Sequence, residues 1–266
     1  MFTIIEWSKL FLALGVMAYA AYQDYKTREI EPKLWLYASV VGAVLTGAEL
    51  YLFHLYYPRI FAWALIDMLF SFIVFPFLYY MYKIAMLGGA DMLAYLFLTF
   101  TLPWYPLTLA KVWGLRAISP MPFVVLLYSS ILAVIVGLTR LIRNLTNKEF
   151  WEYVRERNLS KGQILHYALG GRVFKAKDYL NTKFWYLLDK FEEDEEGLKK
   201  RLERRVNLEE EPEDHRKMIR ELIESGKIEE HEKVMASYGT PFLVYMFGGL
   251  ILALILGDFW LRIIFG

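Results

Sequence analysis

Residues 86–100 read MLGGADMLAYLFLTF, and the fold turns on how that stretch is placed. Gly88 and Gly89 break the chain, and Asp91 then opens a run otherwise apolar enough to enter a membrane. A carboxylate set where water thins out is costly, so a chain that keeps one gives it a partner or a use.

Working outward, the whole chain is rich in apolar side chains. Its 266 residues are 57% hydrophobic and 17% aromatic, more than one soluble core of this size normally holds. The surplus belongs in lipid. A net charge of +1 gives no basic field for nucleic acid. There is no cysteine, which excludes disulfides, thiol nucleophiles and cysteine-based metal sites. His54, His166, His215 and His231 show no metal-ligand spacing and read as ordinary polar residues, so no cofactor is expected.

A span needs roughly 20 mostly apolar residues. Six stretches qualify, at about 2–22, 34–57, 60–82, 92–110, 119–139 and 241–265. Glu6 and Lys9 stand close enough to one end of the first to reach the interface, Glu49 interrupts the second, and Asp67 lies in the third. The fourth carries Pro103 and Pro106 in an LPWYP cluster that marks its end at an aromatic belt. The first lacks a basic n-region and reads as a span, not a cleaved signal peptide.

Between the fifth and sixth spans the composition inverts. Residues 141–237 hold 20 of the 30 Lys and Arg and 21 of the 29 Asp and Glu, the mark of a water-facing domain. TNKE at 146–149 and SKGQ at 160–163 fit capping boxes. Pro212 fits a first helical position, followed by Met218, Ile219, Leu222 and Ile223 on one face and Gly226 at the stop. FEEDEEG (191–197) and KKRLERR (199–205) read as solvated faces, with Lys199, Lys200, Arg204 and Arg205 as a second reading, a docking patch. The expected architecture is all-α: a polytopic membrane protein of about six transmembrane helices, with a mostly helical cytoplasmic domain inserted before the last. Its expected parts are 1–140, 141–237 and 238–266.

Counting Lys and Arg near span ends orients it. With the N-terminus outside, the inner side holds Lys26, Arg28, Lys33, Lys83, Arg140, Arg143 and their neighbours, and the outer side only Arg59, Lys111, Arg116 and Arg262, with Lys9 nearby. Asp24, ending the first span, and Asp91, starting the fourth, then fall at one cytoplasmic boundary. Glu49 and Asp67 fall in the outer half, where the plain reading is a buried hydrogen bond between spans, and Asp258 pairs with Arg262 at i, i+4. Two carboxylates brought together share a proton, one acting as base toward water and the other donating to a carbonyl oxygen. The glycines let a substrate backbone approach, and a helix start favours the ionised form of Asp91.

Asp24 with its trailing Lys26 and Arg28, together with Gly88-Gly89-Ala90-Asp91, resembles the type IV prepilin peptidase family of GxGD-type membrane aspartyl proteases, the archaeal preflagellin peptidases above all. The resemblance covers about residues 1–110. It implies that Asp24 and Asp91 are catalytic, with Gly88, Gly89, Ala90, Lys26 and Arg28 in support. It also implies cleavage, at the cytoplasmic face of the cell membrane, of a short basic leader ahead of a hydrophobic helix in preflagellin or pilin-like precursors. Membrane lipid is the other partner, and nucleic acid is not one. Ala90 stands where the family name has glycine, and the paired CxxC motifs of bacterial members, with their zinc, are missing. Lys26 and Arg28 read as positive-inside anchors before they read as catalytic groups. YGTPF at 238–242 reads as a helix start, or as a strip holding substrate backbone. The competing function is a proton- or cation-coupled transporter using Glu49, Asp67, Asp24 and Asp91, against which no inverted repeat relates the two sets of spans.

Overall fold

The computed structural model describes residues 1–84, 87–113, 119–194, 197–203 and 211–259. Two compact units divide the chain, one formed by residues 1–133 with 241–266 and the other by 134–240.

The first unit is helical: α1 (Phe2–Lys26), α2 (Pro32–Tyr56), α3 (Pro58–Lys83), α4 (Gly89–Thr101), α5 (Leu107–Trp113), the opening part of α6 (Met121–Leu145), and α11 (Phe242–Leu256). Pro32 and Pro58 start α2 and α3 at positions where a missing N–H costs nothing. Helices α1, α2, α3 and α6 are long and apolar enough to cross a membrane. Leu36, Val40, Val44, Ile66, Leu69, Ile73 and Phe77 are exposed along α2 and α3, as lipid-facing side chains are.

The other two expected spans differ from these. At 13 residues α4 reaches only about 20 Å, against roughly 30 Å of hydrocarbon, while α11 covers 15 residues of the sixth expected span, whose end from residue 260 lies outside the described residues. The break after α4 follows from Pro103 and Pro106, which cannot extend a helical ladder. Glu6 secures the return, accepting from the N–H groups of Leu107 (2.6 Å) and Thr108 (2.8 Å). Glu6 and Lys9 therefore do not reach out to the interface. Both are buried, and Lys9 forms an ion pair with Glu49 while standing 4.5 Å from the centre of the Trp104 ring.

Small residues let these helices close up. A Cβ on Gly42 of α2 would run into the Thr101 hydroxyl of α4, so that crossing demands glycine. The core mixes Ala13, Met17 and Ala20 of α1 with Ala94, Phe97 and Leu98 of α4 and Met246, Leu250 and Ala253 of α11.

The second unit begins with the end of α6 and adds α7 (Lys148–Glu156), α8 (Lys161–Gly170), β1 (Gly171–Lys175), α9 (Ala176–Tyr179), β2 (Trp185–Leu187), β3 (Asp189–Asp194), β4 (Gly197–Leu202), α10 (Pro212–Glu224) and β5 (Lys233–Tyr238). The expectation of a mostly helical charged domain is corrected here. Strand β5 lies between β1 and β2 in an antiparallel sheet, with Val173 opposite Met235 and Leu187 opposite Ala236, and β3 and β4 form a hairpin.

Of the cap signals, Ser160 and Gln163 form the expected box, with Gln163 Oε1 accepting from the Ser160 N–H at 2.9 Å. Pro212 opens α10, and Ile219 is buried under it. The first box is displaced by one residue: Asn147, not Thr146, caps α7, accepting from the Glu149 N–H at 2.9 Å, while Thr146 donates back to α6. His215 Nδ1 accepts from the Leu187 N–H at 2.8 Å, a structural role.

Asp189 is the buried node of this unit. It accepts from the Tyr153 hydroxyl (2.7 Å) and the Met235 N–H (2.6 Å), with Arg157 and Lys200 beyond at 3.6 and 3.8 Å. Lys200 is thereby drawn out of the basic run that reads as a solvated face. Arg204 and Arg205 of that run, like Arg116 and Arg262, lie outside the described residues.

Candidate active site

Helix α1 stays helical through its last apolar turn and stops at Thr27, where the Thr27 N–H still reaches Gln23 O at 2.8 Å. Arg28 then takes a positive φ of 63°, a conformation rare for a side chain of this kind. That turn folds the guanidinium back, with Nη1 3.7 Å from Asp24 Oδ1. The other oxygen of Asp24 accepts from the Leu243 N–H at 3.1 Å. Leu243 is the second residue of α11, so Asp24 satisfies one of the N–H groups that a helix start leaves open.

Asp91 is held by a similar device. Gly88 is the N-cap of α4, with extended backbone (φ −70°, ψ 146°), and its N–H donates to Asp91 Oδ2 at 3.1 Å. A side chain at Gly88 would push that carboxylate aside, because a Cβ there would come within 2.7 Å of the oxygen. A Cβ on Gly89 would meet the edge of the Tyr82 ring, and Ala90 packs on the core. Helix α4 packs against both α1 and α11. The two carboxylates, from residues far apart in the chain, lie within electrostatic range of each other.

Of the residues singled out in the sequence, the structure thus gathers Asp24, Arg28, Gly88, Gly89, Ala90 and Asp91. Lys26 is turned elsewhere, its ammonium over the Tyr22 ring at 5.5 Å. Glu49 is taken up by Lys9, and Asp67 feels the charge of Asp258, whose Oδ2 accepts from the Ser119 N–H at 2.8 Å. The 238–242 stretch contributes the start of α11, with Pro241 as its N-cap. The Leu243 N–H was not singled out in the sequence, and Pro241 was the signal that a helix begins beside it.

The same unit carries two hollows on its surface, neither of them lined by Asp24 or Asp91. One, of about 710 Å³, is mixed, lined by Gln23, Thr27 and Glu29 together with Tyr19, Ile30 and Tyr37. The other, of about 550 Å³, is an apolar groove between α2 and α4, lined by Trp35, Ser39, Ala43, Leu93, Leu96 and Phe100, and it shares Lys33 with the first.

Residues 11–138, which include both aspartates, match the model of the type IV leader peptidase family. Residues 163–259 match a second model, the archaeal peptidase A24 C-terminus of type II. No curated protein matches the chain. The two matches name the same peptidase group from separate stretches of the chain, and the long apolar helices suit it: this membrane protein belongs to the type IV leader peptidase family and is a peptidase acting on precursor proteins.

Proposed function

We propose that the protein is an aspartyl endopeptidase of the cell membrane, with Asp24 and Asp91 as its catalytic pair, removing the short basic leader from preflagellin or pilin-like precursors at the cytoplasmic face. The observation that carries this reading is the convergence of the two carboxylates from α1 and α4, each steadied by one backbone N–H. With one proton shared between them, the ionised carboxylate takes a proton from water as the oxygen attacks the scissile carbonyl. The protonated partner donates to the carbonyl oxygen. Collapse of the tetrahedral intermediate returns a proton to the leaving amine and restores the pair. Neither a side-chain nucleophile nor a metal is called for in this scheme.

Arg28 is a positioning residue in this scheme, holding one Asp24 oxygen while Leu243 holds the other. The Lys and Arg bias of the short loops supports the cytoplasmic orientation.

The test is cleavage, in detergent or membranes, of a precursor with a basic leader and a glycine before its hydrophobic helix. Wild type should cut it, while Asp24→Asn and Asp91→Asn should each abolish cutting in folded protein, and Asp67→Asn should leave it near normal. Activity surviving in Asp24→Asn would end the two-carboxylate mechanism.

A further inference from the structure

In the second unit, three arginines converge on one hollow. Arg140 and Arg143 lie one turn apart on the last stretch of α6, and Arg172 is the second residue of β1. Asn144 sets their spacing. Buried beside them, its amide donates to Ala168 O (2.9 Å) and Gly171 O (2.7 Å), which ties the end of α6 to the turn between α8 and β1. Arg172, next in the chain, is thereby brought beside Arg143. Together with Trp185 and Tyr238 these side chains line a pocket of about 170 Å³.

The charge in that pocket is unbalanced. Among the described residues no carboxylate forms an ion pair with Arg140, Arg143 or Arg172, although Glu149 is within electrostatic range of the last. The arginines lean on rings instead: Arg140 stands 5.3 Å from the centre of Tyr238, and Arg172 4.8 Å from that of Phe174. Arg140 also reaches Thr240 Oγ1 at 3.5 Å. Burial, and then the neighbouring charge of Arg143, push the Arg172 guanidinium below its usual range, so the cluster bears its own repulsion. Proteins gather guanidinium groups in this way around phosphate, whose oxygens match their forked donors.

We propose that this pocket binds the phosphate of an anionic membrane lipid. Position selects the lipid as the source of the phosphate. Arg140 directly follows the apolar run of α6, a helix long enough to cross the membrane, so it stands where a span gives way to the headgroup layer. Trp185 and Tyr238, with rings 5.2 Å apart, are the side chains that favour that layer. Arginines at the end of a span also serve as plain orientation signals. That role asks neither for a third arginine from a strand nor for an asparagine that fixes their spacing.

The experiment measures binding of short-chain phosphatidylglycerol and phosphatidylcholine to the full chain in detergent, for wild type, Arg143→Gln, Arg172→Gln and, as a surface control, Lys217→Gln. Phosphatidylglycerol should bind wild type in preference to phosphatidylcholine. Each arginine variant should weaken that binding about fivefold, with the control unchanged. Melting temperatures of the variants, measured alongside, establish that they are folded. Equal binding by wild type and both arginine variants would overturn the proposal, as would equal binding of the two lipids. Displacement of phosphatidylglycerol from wild type by millimolar inorganic phosphate would assign the pocket to a free anion and overturn the lipid as source; undiminished binding supports it.

Discussion

Gly88 carries its constraint through one atom. Its backbone, at φ −70° and ψ 146°, is open to any residue, so conformational freedom is not what it supplies. What it supplies is room: a Cβ would press on Asp91 Oδ2 from 2.7 Å. Gly88→Ala should therefore leave the fold and melting temperature nearly unchanged while displacing the Asp91 carboxylate. A displacement approaching 1 Å lowers turnover on the order of a hundredfold. Steady-state cleavage kinetics beside a thermal melt check this, and a variant with normal turnover would show that the contact relaxes harmlessly. Gly89→Ala should be milder, because it meets only a ring edge at 3.3 Å. The same view explains Ala90, where the family name has glycine. Ala90 sits in the first turn of α4 with its methyl against the core, and nothing in its surroundings calls for a bare Cα.

At the scale of elements, what was legible depended on length. Apolar runs of twenty or more residues announce themselves, which is why α1, α2, α3 and α6 were readable. A helix of 13 residues such as α4 falls below the span length, and its true end needed Glu6 and the prolines to be placed in space. The strands were harder. Residues 171–175, 185–187 and 233–238 are short, and the β3–β4 hairpin is built from an acidic run and a basic run that read as solvated surface. In register they oppose each other, with Glu192 across from Lys199 and Lys190 across from Arg201. Strand β5 is fastened to α7 in a related way, with Lys233 3.0 Å from Glu152 and 2.7 Å from Glu156. The hydrogen bond from Lys233 holds Glu152 below its ordinary value, and the bond to Glu156 holds Lys233 above its own. The Glu152 contribution is present above an unfolded value of about 4.3 and is lost as pH falls through the lower folded value. The Lys233 contribution is complete below an unfolded value of about 10.4 and is lost as pH rises through the higher folded one. Lys233→Met should thus melt below wild type across the neutral range, and the gap should close at both extremes. A gap independent of pH between 3 and 12, in a series of melts, would assign the effect to packing.

At the scale of the whole membrane unit, ionisable groups stand at two separate levels of α1. Asp24 follows Lys9 by fifteen residues, about 22 Å along the helix at roughly 1.5 Å per residue. One level holds Asp24 with Asp91; the other holds Glu6, Lys9 and Glu49, joining α1 and α2 to the 102–108 segment. The sequence offered Asp24 and Asp91 of one level and Glu49 of the other as candidates for ion coupling, and charge alone could not separate them, because a partner such as Lys9 becomes visible only when helices pack. An ion pair that serves structure responds to substitution in a way that a transport site does not. Removing one member strands a buried charge, so Lys9→Met or Glu49→Gln should each cost about 3–5 kcal/mol, whereas Lys9→Met with Glu49→Leu, which removes both, should recover most of that loss. Cleavage of a leader-bearing precursor should persist in the double variant, since the Asp24 level is untouched. Thermal melts in detergent and a cleavage assay on the same preparations test both halves. A double variant that is stable but inactive would tie the two levels together in function, and one no more stable than the single variants would mean that Lys9 and Glu49 each hold the unit through contacts outside their pair.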